Sequence, residues 1–116
     1  MSPGTRACIA YVAGRIITGT ARSYVYDHAE SKHVNVGGTI NGNRIGLYDY
    51  ERGCNFHGAL PHLRDDGTGA GVLLQIDGNR FSGHDHGSGH EFSGSVDGPS
   101  ISVYDHVVAR HFAYSL

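Results

Sequence analysis

Tryptophan is absent from this chain and lysine occurs once, at Lys32. With a formal charge of −2, that scarcity removes any electrostatic case for nucleic acid or an anionic membrane as partner. No 20-residue apolar run exists, so no membrane span is expected. The opening Met1-Ser2-Pro3-Gly4-Thr5-Arg6 has none of the features of a signal peptide. The expectation is a soluble chain whose compartment stays open. Two cysteines, Cys8 and Cys54, are too few for a disulfide framework, and read either as one bridge or as two thiols. There is no nucleophile elbow, phosphate-binding loop, CxxC pair or dinucleotide fingerprint, which turns the reading away from an enzyme.

Glycine, by contrast, occurs 18 times and tyrosine 7 times in 116 residues, a length that suits one domain spanning 1–116. Glycines at regular intervals point to many turns and short strands. The chain also resembles itself. Residues 41–58 (NGNRIGLYDYERGCNFHG) and 77–94 (DGNRFSGHDHGSGHEFSG) agree at seven of 18 positions. A further copy runs from 94 to 114, and a worn one occupies 20–37, so the copies lie near 20–37, 38–58, 74–94 and 94–114. The hallmark is an Asp between two aromatic or His residues, at Asp27, Asp49, Asp85 and Asp105. The uneven spacing of these positions marks 59–70 (ALPHLRDDGTGA) as an insertion.

Each copy alternates apolar and polar residues with period two, the pattern of a half-buried strand, and no stretch shows a sustained helical period. Val34, Val36, Ile40, Ile45, Leu47, Phe56, Leu60, Val72, Leu74, Ile76, Phe81, Phe92, Val96, Ile101, Val103, Phe112, Tyr114 and Leu116 share the apolar face. Tight turns are expected at Asn41-Gly42, Asp77-Gly78 and Asp97-Gly98, with a wider loop in the last because Pro99 fits poorly beside a two-residue turn. Keeping apolar residues on one face sets Asp27 opposite Lys32, Asp49 opposite Cys54, Asp85 opposite His90 and Asp105 opposite Arg110, across four-residue loops. The expected fold is all-β: an up-and-down antiparallel meander of about 8–10 short strands, closed as a small β-barrel to remove its edges, with a β-sandwich as the alternative.

In this register the repeated Asp points inward and fixes its loop by accepting backbone N–H groups, with Lys32, His90 and Arg110 as pairing partners at the rim. Its neighbours face outward. Tyr26, His28, Tyr48, Tyr50, Tyr104 and His106 form a band of amphipathic side chains suited to recognition. The expected function is a non-catalytic binding or interaction module for a protein or a glycan, or for self-assembly as a homo-oligomer, using this band and the 59–70 insertion. A second reading is a divalent transition metal on His84, His86 and His90; no other cofactor is suggested. Register weighs against that site, since His84 and His86 face out while His90 has the inward parity of Phe92. A third reading is a barrel that holds a small ligand in its interior.

Overall fold

In the computed structural model, which describes residues 1–116, the chain forms one helix followed by ten strands. The strands are β1 (Tyr24–Asp27), β2 (Lys32–Asn41), β3 (Arg44–Asp49), β4 (Cys54–Ala59), β5 (His62–Asp65), β6 (Ala70–Asp77), β7 (Arg80–Asp85), β8 (His90–Asp97), β9 (Ser100–Asp105) and β10 (Arg110–Ser115). Each pairs antiparallel with the next, and β10 returns to β1 through Tyr26↔Ser115 and Asp27↔Tyr114. The result is a closed up-and-down barrel. The registers Asp27↔Lys32, Asp49↔Cys54, Asp85↔His90 and Asp105↔Arg110 are those that the alternation of apolar residues requires.

The two ends of the barrel use different turns. At one end four-residue loops join β1–β2, β3–β4, β5–β6, β7–β8 and β9–β10. Their last residues, Ser31, Gly53, Gly69, Gly89 and Ala109, all have φ between 54° and 74°. At the other end Gly42, Gly78 and Gly98 open two-residue turns with φ of 62°, 61° and 56°. The residues that follow them have negative φ, the pattern of the primed turn that takes glycine first. Pro99 therefore needs no wider loop. It takes the second turn position, where its fixed negative φ fits, and Asp97 pairs directly with Ser100.

Residues 59–70 are not an insertion. They carry the end of β4, a two-residue turn, β5 and a fifth four-residue loop, whose Asp65 stands where Asp27, Asp49, Asp85 and Asp105 stand in the other hairpins. With it the Asp spacings become 22, 16, 20 and 20.

The largest departure from expectation is α1 (Pro3–Thr18), a helix in a chain that reads as all strand. Its ends carry clear signals. Ser2 caps it by accepting from Thr5 N–H, Pro3 opens it, and Gly19 closes it in the left-handed conformation. Its middle carries no helical period because it has no solvent face. Ala7, Cys8, Ile9, Ala10, Tyr11, Val12 and Ala13 are each at most 1% exposed. A helix buried all round is apolar all round, so a one-sided pattern cannot reveal it.

This helix fills the barrel. Ten strands enclose more space than their own inward side chains occupy, and a helix about 10 Å wide takes up the remainder. Ile9, Tyr11 and Val12 pack into one continuous core with Val25, Leu47, Phe56, Leu74, Phe92, Val103 and Tyr114. Burying each large side chain contributes roughly 1.5–3 kcal/mol. Gly14 lets the helix approach the wall, where an added Cβ would meet the side chains of Ile101 and Leu116. No helix in the molecule is long and apolar enough to cross a membrane.

Candidate binding surface on the outer wall

Strand parity separates the hallmark motif into two layers. The inner layer is a ring of five buried carboxylates, Asp27, Asp49, Asp65, Asp85 and Asp105, each at most 3% exposed. Every one accepts through Oδ1 from the backbone N–H two residues on: Ala29 at 3.0 Å, Glu51 at 2.9 Å, Gly67 at 2.8 Å, Gly87 at 3.1 Å and Val107 at 3.0 Å. The second oxygens of three of them turn inward to the first turns of α1. Thr5 Oγ1 donates to Asp65 Oδ2 at 2.5 Å, Arg6 Nη1 donates to Asp105 at 3.1 Å, and the Cys8 thiol lies 3.7 Å from Asp49. The positive end of the helix dipole thus sits inside a negative ring, a favourable arrangement for both.

Cations come from places other than the rim positions that the sequence points to. Lys32 pairs with Glu51 at 2.6 Å, Arg110 lies over the Phe112 ring at 4.7 Å, and His90 is exposed, its Nδ1 2.8 Å from the Ser88 carbonyl. None of them reaches its facing Asp. The partners are Arg6, 4% exposed and stacked 3.4 Å over Phe112, the Met1 amine, 3.5 Å from Asp105, and Arg52. Burial works against the Arg52 charge, but hydrogen bonds to Asp49 and Asp65 outweigh it and hold its pKa above the ordinary value. Beside this network both cysteines are free thiols. Burial first, then the Asp49 charge, pushes the Cys8 pKa up, which leaves an unreactive thiol.

The outer layer is made of the residues that flank each Asp. They touch each other within their own hairpin. Tyr26 and His28 have ring centroids 4.8 Å apart, Tyr48 and Tyr50 5.0 Å, His84 and His86 4.8 Å, and Tyr104 and His106 4.7 Å. In the fifth hairpin the same two positions hold Arg64 and Asp66, an ion pair at 3.3 Å. Cross-strand rings extend the contacts: His33 lies against both Tyr24 and Tyr26, and His111 against Tyr104. Of the tyrosines only Tyr48 and Tyr50 are exposed, 37% and 64%, and Tyr50 lies over Gly37 of the adjoining strand.

The three histidines read as metal ligands do not converge. His84 and His86 pack on each other on the outer wall, and His90 is held at the loop by Ser88. No group of three or more His, Cys, Asp or Glu side chains is arranged to hold a metal ion. The interior that a lumenal ligand would need is occupied by α1. At the ring end, a cleft of about 230 Å³ opens between the first two loops, lined by Asp27, Lys32, Asp49 and Arg52 among others.

A second feature of the wall escaped the sequence reading. Outward positions of β7 to β10 carry serines in adjacent register: Ser82↔Ser93, Ser95↔Ser102 and, from β9 to β10, Ser100↔Ser115. The signal was present as alternate serines in FSGS (92–95) and SIS (100–102).

The protein is thus a helix-filled, ten-stranded, up-and-down barrel with a ring of buried carboxylates inside one end and paired aromatic and His rings on its outer wall. No protein-family model, curated protein or solved structure matches the chain.

Proposed function

We propose that the protein is a non-catalytic recognition module that engages a partner, protein or glycan, through the outward Tyr and His band. The observation that carries this reading is the Tyr48–Tyr50 pair. Two tyrosines packed at 5.0 Å stand 37% and 64% exposed on a wall whose interior is already filled. Folding does not require that exposure. Aromatic rings held by one another lose little freedom on binding, and each offers apolar area with a hydrogen-bonding tip. Tyr24, Tyr26 and His33 continue the patch across β1 and β2.

The helix plug supports the same reading from the other side, because it leaves partner contact to the outside of the barrel. The test is a Tyr48→Ala/Tyr50→Ala double variant. Self-association is followed by sedimentation equilibrium, and glycan binding on an immobilised oligosaccharide panel. The expected result is loss of whichever association the unaltered protein shows, with a melting temperature within a few degrees of the original. An unaltered protein that neither self-associates nor binds, or a double variant that matches it in both assays, overturns the reading.

A further inference from the structure

We infer that a groove on the outer face of β7–β10 is a binding site for a neutral oligosaccharide chain. This rests on the reading of the barrel as a recognition module and names a site and ligand class for it. The groove has a volume of about 350 Å³ and is lined by Arg80, Ser82, Ser93, Ser95, Ser102 and Tyr104, with His111 at its edge. Through Ser95 and Ser102 it runs on into a second depression of about 220 Å³ between β8 and β1. The outside of a barrel is convex, so a concavity there has a specific cause. Small side chains occupy the floor in register while Tyr104 and Arg80 rise at its sides.

The chemistry of the lining selects the ligand. The Ser102 hydroxyl meets His111 Nδ1 at 3.3 Å and that of Ser115 meets His28 Nε2 at 2.7 Å, whereas the hydroxyls of Ser82, Ser93, Ser95 and Ser100 form no hydrogen bond to another protein group. Each of those hydroxyls both donates and accepts. Arg80 takes part in no ion pair and adds guanidinium donors on one side, and Asp97 adds an acceptor at the far end. Rows of donors and acceptors without net charge match the ring of hydroxyls around a sugar.

Tyr104 supplies the other half of sugar recognition, an aromatic surface against the C–H face of a pyranose. Its ring is already fixed by His106 and His111, both at 4.7 Å, so little ordering remains to be done on binding. Along the groove floor the strands stand ~4.8 Å apart, close to the length of one sugar unit, so successive strands address successive units. An anionic saccharide fits less well, because Asp97 borders the groove and Asp77 pairs in register with Arg80.

The test is an amide NMR titration of the intact chain with neutral gluco-, manno- and galacto-oligosaccharides at millimolar concentration. The expected perturbations map to residues 80–82, 93–95 and 102–104. Ser95→Leu, which fills the groove, and Tyr104→Ala each weaken binding by about tenfold or more, while Tyr104→Phe keeps it within a few-fold. Arg80→Ala, at an exposed position, gives a second weakening variant should Ser95→Leu disturb the fold. Perturbations confined to the Tyr24–Tyr50 wall overturn the groove assignment and leave the recognition module standing. Absence of any perturbation, or preference for a uronic-acid chain over the neutral ones, also overturns the groove assignment.

Discussion

Arg52 on the β3–β4 loop donates through Nη1 to both carboxylate oxygens of Asp65 at the end of β5, each at 3.0 Å. Its Nε donates to Asp49 of its own hairpin at 2.6 Å. One side chain therefore neutralises two members of the carboxylate ring and ties two hairpins together. It also covers the start of α1, where its Nη2 lies 3.6 Å from the Cys8 sulfur and its chain packs over Gly4.

Removing Arg52 leaves two fully buried carboxylates facing each other without a cation. Breaking a buried pair in this way costs about 3–5 kcal/mol, far more than a surface ion pair does. Arg52→Ala is expected to lower stability by that amount in urea unfolding. Adding Asp65→Asn should recover part of the loss, because it removes one of the two stranded charges. If Arg52→Ala behaves like a change at the exposed Lys32–Glu51 pair, the ring is not held by charge pairing.

Five loops share one backbone course, yet only three end in glycine. Gly53, Gly69 and Gly89 take the left-handed final position without strain, while Ser31 and Ala109 take it at φ 54° with a Cβ attached. That conformation costs a non-glycine residue roughly 1–2 kcal/mol. Glycine recovers that amount less the extra chain entropy it loses on folding. Ser31→Gly and Ala109→Gly are each expected to stabilise the protein by about 0.5–1 kcal/mol, with additive effects because the loops are separate. Denaturant midpoints of the two single variants and the double variant check this. A fall in midpoint for either single variant would show that the loop is not under strain.

The same loops show how far the sequence could be read. Asp between aromatic or His flanks, with alternating apolar residues on either side, was enough to set strand register in four hairpins, because a one-residue slip would turn every apolar side chain outward. The fifth hairpin hid because Arg64 and Asp66 replace the aromatic flanks with an ion pair and β5 is only four residues long. The helix hid for a different reason: periodicity reports one-sided burial, and α1 is buried on all sides. Its Ser2-Pro3 start and Gly19 stop are short cap signals, which do not mark a helix without a periodic run between them. The rim partners expected for the Asp residues failed for a related reason. Arg6 lies on a helix that strand parity cannot place, and it supplies the charge assigned to Arg110. The serine groove depends on three-dimensional adjacency of four strands, which becomes visible only once the register of all of them is combined.

Two buried acids that stay protonated make stability depend on alkaline pH. Burial first, then the Asp49 charge, raises the Cys8 pKa from its ordinary 9.0. Burial likewise raises Tyr114 from 10.0 against the opposing pull of Arg6, which hydrogen-bonds its hydroxyl at 2.8 Å. For an acid raised in the folded state, both states hold the proton below the unfolded pKa, so the full contribution is present there. Above it the unfolded chain releases a proton that the folded chain keeps, and stability falls as pH rises until the folded group ionises too. Stability from these groups should be flat up to about pH 8. It should then fall as Cys8 enters its window near 9 and more steeply once Tyr114 joins near 10, each adding up to about 1.4 kcal/mol per pH unit. Urea unfolding across that range measures the slope, and Cys8→Ala should remove most of the earlier part of the fall, Cys54 keeping a share because burial raises its pKa too, while leaving the later part. A Cys8→Ala profile parallel to that of the unaltered protein would mean that Cys8 ionises alike in the folded and unfolded chain, and that burial in the helix does not hold its proton.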